Sequence, residues 1–339
     1  MEVYDEKLYL CGYALDIELF HKFDVEIYDI YPLRGVFFVS TNKGNKILKK
    51  IDYSMEELKF IYDGLEYIKK KFNRVMNLYK NEDGEIFIPF KGQVYYLIDL
   101  VEGMECDFSN PIDISIAAKG LAEMHLASEG FRCNITNKDN SGKLIDNFKR
   151  RIDEMEFFRK IAEMHENKSE FDNNFLSHID FYIEEIKKSI YILENSCYYK
   201  LCSEEDKRAL CHHDLAYHNI IIKDNKAYFI DFDYIMIDLK VHDLANFILK
   251  VIKNFAFDVE KAKAILNEYM SMNPIQDREL KVLYGMLSFP EDIYSISRDY
   301  YGRRKNWSDE VFIDRLNKKI DQEEFRQEFL NEFKAVCLV

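Results

Sequence analysis

Residues 211–233, reading C-H-H-D-L-A-Y-H-N-I-I-I-K-D-N-K-A-Y-F-I-D-F-D, constrain the fold more than any other stretch of the chain. Two short apolar runs, Ile220 to Ile222 and Ala227 to Ile230, flank the turn-like tetrapeptide Lys223-Asp224-Asn225-Lys226 and predict a β-hairpin. In an antiparallel hairpin the start of one strand lies beside the end of the other. Asn219 and Asp231 therefore emerge at the same open end, with Asp214 on the loop leading in. Two carboxylates and a carboxamide gathered at one point suit a hard cation with oxygen ligands that shares its shell with phosphates, which describes Mg2+ on a nucleotide. A rival set for zinc, Cys211, His212, His213 and His218, has neither the C-x-x-C nor the H-E-x-x-H spacing of such sites. Turn capping alone, a common use of Asp and Asn, leaves unexplained why Asp231 follows a strand at this distance.

His212-x-Asp214-x-x-x-x-Asn219, followed twelve residues later by Asp231-Phe232-Asp233, resembles the catalytic loop and metal-binding Asp of protein-kinase-like phosphotransferases, in the form seen in aminoglycoside and choline kinases. The resemblance implies an α+β, protein-kinase-like two-lobe fold with a small antiparallel-sheet N-lobe and a large, mainly helical C-lobe. It implies that Asp214 accepts the proton of an attacking hydroxyl and that Asn219 and Asp231 hold magnesium. Asp233 stands where protein kinases carry Gly and would add a second metal contact.

The chain in order fits that plan. Apolar positions at Leu8, Cys11, Leu15 and Leu19 mark a small leading helix. Val25 to Ile30, Val36 to Ser40 and Ile47 to Ile51 read as three strands, the last two joined by the hairpin turn Asn42-Lys43-Gly44-Asn45. By resemblance Lys49 reaches the nucleotide phosphates, with Lys50 as the register alternative because neighbouring strand residues face opposite sides. The preceding loop has a single Gly, so the G-x-G-x-x-G signature is absent; Arg34 is the candidate phosphate contact in its place. Ser54-Met55-Glu56-Glu57 opens a helix with a capping-box pattern, and Leu58, Ile61, Leu65 and Ile68 mark its apolar stripe. Glu57, on the edge of that stripe, is the candidate acid for pairing with Lys49, ahead of Asp63 and Glu66; capping is its competing role. Val75 to Tyr79, Glu85 to Pro89 and Gln93 to Leu97 would complete a sheet of about five strands. Leu97 to Gly103 resembles the inter-lobe hinge, where backbone groups of Asp99 and Val101 would pair with adenine. That places the nucleotide-binding lobe at 1–102 and the helical lobe, with the catalytic loop and acceptor site, at 103–339.

Beyond residue 111 the pattern is helical. The run ending Leu121-Ala122-Glu123-Met124-His125 resembles the L-A-x-x-H helix end that supports the catalytic loop, and Asp238 to Phe247 resembles the D-L-A element that follows the metal Asp, which implies that Asp243 caps a helix and braces that loop. Phe289-Pro290, Tyr300-Tyr301, the basic run Arg303 to Lys305 and the sole Trp, Trp307, together resemble the CotS-like spore coat proteins, an aminoglycoside-kinase-like family of spore-forming bacteria.

A net charge of −14 argues against a general nucleic-acid binder, which needs clustered Lys and Arg. Seven scattered Cys fit free thiols in a reducing compartment, and no run approaches the roughly 20 apolar residues of a membrane span. The expectation is a cytoplasmic, ATP- and Mg2+-dependent kinase acting on a hydroxyl of a sugar, amino-sugar or choline-like molecule. The family resemblance adds spore coat proteins as partners and the coat as a destination. The alternative is a coat assembly component with a kinase-like fold and little catalysis. A protein Ser/Thr kinase fits less well, because no activation segment or A-P-E element follows Asp231.

Overall fold

The computed structural model describes residues 10, 12–133 and 135–337. Leu8 and Cys11 of the expected leading helix lie outside them. The chain divides into two compact units, residues 1–106 with 218–233, and residues 107–217 with 234–339. The first break falls at Cys106 rather than Gly103, and the hairpin joins the first unit. The reason is pairing: β6 (Met104–Glu105) runs antiparallel to β8 (Ile220–Lys223), which pairs with β9 (Lys226–Phe229). Gly103 permits the close approach, because a Cβ there would stand 2.5 Å from Ile221 Cγ2 and 2.7 Å from the Ile222 carbonyl oxygen.

The first unit is built on a five-stranded antiparallel sheet, β1 (Ile27–Leu33), β2 (Val36–Thr41), β3 (Gly44–Ile51), β4 (Ile88–Phe90) and β5 (Gln93–Asp99), in the order β1-β2-β3-β5-β4. Five of the six segments read as strands join this sheet. Val75 to Tyr79 makes only isolated bridges, Val75 to Phe229 and Leu78 to Ile98. The helix α1 (Ile17–Lys22) is capped by Asp16, whose side chain accepts from the Glu18 amide. Its Leu19 and Phe20, with Phe23, form a core with Val39, Leu48 and Leu97 of the sheet. The helix α2 (Met55–Lys69) carries the full capping box and buries Leu58, Ile61, Leu65 and Ile68, the stripe read from the sequence.

The second unit is helical: α3 (Pro111–Ser128), α4 (Leu144–Met164), α5 (Glu170–Glu194), α6 (Tyr198–Cys202), α7 (Lys240–Ile252), α8 (Val259–Met272), α9 (Asp277–Leu287), α10 (Glu291–Tyr301), α11 (Asp309–Asp321) and α12 (Glu323–Cys337). α3, which buries Ala117, Ala118, Gly120 and Ala122, packs along α8. A two-stranded ribbon of β7 (Arg208–Cys211) and β10 (Met236–Leu239), with Met236 opposite Cys211, carries the catalytic-loop sequence out of β7. The five described Cys that are free thiols are Cys106, Cys133, Cys197, Cys202 and Cys211. No helix among the described residues is long and apolar enough to cross a membrane.

Candidate active site

In the first unit the hairpin does what its sequence requires. Asp224 and Asn225 both take positive φ, 51° and 55°, the left-handed pair that a two-residue turn matched to strand twist needs. Ile220 pairs with Phe229, and the Ile230 amide donates to the Asn219 carbonyl at 3.0 Å, so Asn219 and Asp231 do share the open end. Asp231 itself sits at φ +63°, an unusual backbone state for a side-chain-bearing residue that is held by its surroundings.

Lys49 reaches the same place from β3. Its ammonium lies 2.5 Å from Asp231 Oδ1 and 2.6 Å from Asp233 Oδ2, while Lys50 is exposed. Burial alone would push the Lys49 ammonium down, but the charges of Asp233 and Asp231 outweigh it and hold its pKa above the ordinary value. Asp233 also accepts from the phenols of Tyr53, at 3.2 Å, and Tyr96, at 3.3 Å. Burial and then the Asp233 charge keep both phenols protonated well past their usual range. Of the roughly four acceptor positions on a carboxylate, Asp233 thus uses three, whereas Asp231 Oδ2 has no partner among the described residues. This donor set, an open carboxylate oxygen of Asp231 at one strand end with a lysine across from it and Asn219 at the start of the paired strand, fits Mg2+ with phosphate oxygens. Asp231 and Asn219 would be its principal ligands and Asp233 the anchor of Lys49.

The remaining nucleotide-side residues are placed as follows. Glu57 Oε2 accepts from the Ser54 amide at 3.2 Å and from its hydroxyl at 3.3 Å, closing the capping box; the acids beside Lys49 are Asp231 and Asp233. The N3 carboxylate is drawn to the helix N-terminus, whose amides need acceptors. Arg34, at φ +56° on the β1–β2 turn, pairs with Glu105 at 2.8 Å in an exposed bridge. The Asp99 amide is committed to the Asn77 carbonyl, and its side chain accepts from Lys46 at 2.7 Å and from Asn77. Val101 lies outside any strand, with no backbone hydrogen bond among the described residues.

In the second unit the loop bearing Asp214 is fixed by a buried carboxylate. Asp243 accepts from the His212 amide at 2.5 Å, the His213 amide at 2.8 Å and His125 Nε2 at 3.1 Å, and His125 Nδ1 meets the Tyr269 hydroxyl at 2.7 Å. Burial pushes the His125 imidazole down; Asp243 braces the loop as expected but caps no helix, since it lies inside α7, whose N-cap is Leu239 without a side-chain cap bond. Asn246 Oδ1 takes the Leu215 amide at 3.1 Å. Lys250 Nζ donates to Asp214 Oδ1, a partner that sequence reading missed. The available signal was helical spacing: Asp243, Asn246 and Lys250 fall at i, i+3 and i+7 of α7, on one face. Lys250 lines a cleft of about 510 Å³ with Asn140, Asn147, Arg151, Lys253 and Asp292. Among the described residues, the groupings tight enough to share an ion are His125–Cys211–Asp243 and His213–Asp238–His242, so the zinc set of Cys211, His212, His213 and His218 is not gathered.

The fold is protein-kinase-like. An aminoglycoside phosphotransferase from Alicyclobacillus acidocaldarius superposes with a TM-score of 0.82 at 19% identity, covering 95% of this chain and 96% of that one. Spectinomycin phosphotransferase, solved with ADP and spectinomycin, superposes with a TM-score of 0.68 at 15% identity, covering 94% and 98%. In sequence, spore coat protein S of Bacillus subtilis is 25% identical over 304 residues, 88% of this chain and 86% of the relative. The family model described as Spore coat putative kinase YutH matches residues 16–333, and the chain belongs to that spore coat kinase-like family.

Proposed function

We propose that the chain is an ATP- and Mg2+-dependent phosphotransferase acting on a hydroxyl of a small molecule, a sugar, amino-sugar or choline-like compound. It would be made in the cytoplasm and work in or on the way to the spore coat. The observation that carries this reading is the convergence of Asp231 and Asp233 on Lys49, at 2.5 and 2.6 Å. Two acids and a lysine drawn from distant parts of the sequence meet beside Asn219 at a hairpin mouth, in the chemistry phosphoryl transfer asks for. Such transfer needs positioning and charge neutralisation more than covalent catalysis. Lys49 would pair with the nucleotide phosphates, while Tyr53 and Tyr96 keep Asp233 in place. Asn219 and Asp231 would hold the magnesium ion, which would supply charge neutralisation for the phosphates. Asp214 would take the proton of the acceptor hydroxyl, its Oδ1 oriented by Lys250. The hinge contribution would fall to Val101, since the Asp99 amide is occupied.

The name of the relative, a spore coat protein, supports the coat setting and keeps assembly as the second reading. Incubation with γ-labelled ATP and a panel of sugars, amino-sugars and choline separates the two. Label in a small molecule, lost in Asp214→Asn by about 100-fold or more while ATP binding persists, supports the enzyme; no transfer to small molecules from sporulating-cell extract supports assembly.

A further inference from the structure

The second of the two groupings has no place in this chemistry. The Asp243 brace uses both nitrogens of His125 and both oxygens of Asp243, and the Cys211 thiol points at the carbonyls of Asp238 and Leu239, so the first grouping is satisfied from within. At the other, two buried imidazole nitrogens, His213 Nε2 and His242 Nδ1, have no hydrogen-bond partner. His213 Nε2 stands 3.4 Å from Asp238 Oδ2, a long contact, and the three donor atoms lie within 4.8 Å of one another. The two rings lie side by side, with centroids 4.3 Å apart and planes tilted at 34°. A buried polar atom without a partner is costly, and here two of them flank one carboxylate.

We propose that His213, Asp238 and His242 form a site for a divalent ion of zinc type. Two imidazole nitrogens and one carboxylate oxygen make a three-ligand set that leaves a coordination position open. Both imidazoles line the 510 Å³ cleft that also holds Lys250, so that position opens onto space rather than packed core. The supporting shell is present. Asn140 Nδ2 donates to Asp238 Oδ2 at 2.7 Å and the Leu239 amide donates to Oδ1 at 2.7 Å, fixing the carboxylate in the way outer-shell donors orient metal ligands. His213 is held at φ +64° with its amide on Asp243. It immediately precedes Asp214, so the ion would tie the loop of the proposed base to α7. The site rests on these residues alone and stands or falls separately from the kinase reading.

The test uses the full chain, stripped with chelator and titrated with Co2+ in the presence of excess Mg2+. One Co2+ per chain with the visible bands of a nitrogen-ligated ion, displaced by Zn2+, is expected. His242→Ala should weaken binding by at least about tenfold, and Asn140→Ala by about 10- to 100-fold through its hold on Asp238. X-ray absorption of the wild-type zinc protein, which needs no variant, should show two imidazoles and no sulfur. Absence of Co2+ binding, affinity unchanged in both variants, or a sulfur shell would overturn the assignment and leave the cavity to a trapped water.

Discussion

Replacing Asp243 by Ala removes the acceptor for two buried backbone amides, His212 and His213, and for the His125 imidazole. An orphaned buried donor costs about 1–3 kcal/mol, so the two amides alone should lose about 4 kcal/mol. At 2–4 °C per kcal/mol for a unit of this size, the melting temperature should fall by roughly 8–16 °C. The pH dependence adds a second handle. Burial would by itself raise the Asp243 carboxyl, but the bond from His125 and the neighbouring imidazoles of His213 and His212 hold it well below the usual carboxylate range. A carboxyl depressed on folding stabilises fully above its unfolded value, about 3.9, and loses that stabilisation as pH falls through the folded one. The gap between wild type and Asp243→Ala should therefore stay constant from neutrality down to about pH 4 and narrow below it. Scanning calorimetry across that range checks both parts. A fall of less than about 3 °C, or a gap that widens on acidification, would refute the bracing role.

Three further outcomes follow from the geometry. Lys49→Ala leaves Asp231 and Asp233 without their shared cation and should abolish stabilisation by MgATP in a thermal-shift assay while the chain stays folded. Glu57→Gln, which weakens the capping box of α2, should cost about 1 kcal/mol or less and leave ATP affinity unchanged in calorimetry; a large loss of affinity would favour Glu57 as the partner of Lys49. Gly103→Ala forces a methyl to within 2.5 Å of Ile221 and should cost about 1–3 kcal/mol by denaturant titration.

What could be read in advance was local. The hairpin, its turn and the meeting of Asn219 with Asp231 follow from strand period and turn chemistry, and the α2 stripe from helical period. The Asp243 brace came from the order of motifs. Tyr53, Tyr96 and Lys250 were invisible because each acts across a gap of tens of residues or more that no spacing rule spans. Glu57 stayed open between two roles because a capping box and an inward-facing acid share one sequence pattern; the bonds from Ser54 close the box. Val75 to Tyr79 is apolar enough to read as a strand, yet it makes only isolated bridges.

Isothermal titration with MgATP tests the central claim most directly. Wild type should bind one nucleotide per chain in a magnesium-dependent way, stabilised by about 2.7 kcal/mol at 100 times the dissociation constant, and Asp231→Ala should lose the magnesium dependence. No heat of binding in the wild type, or identical isotherms for the two proteins, would contradict it.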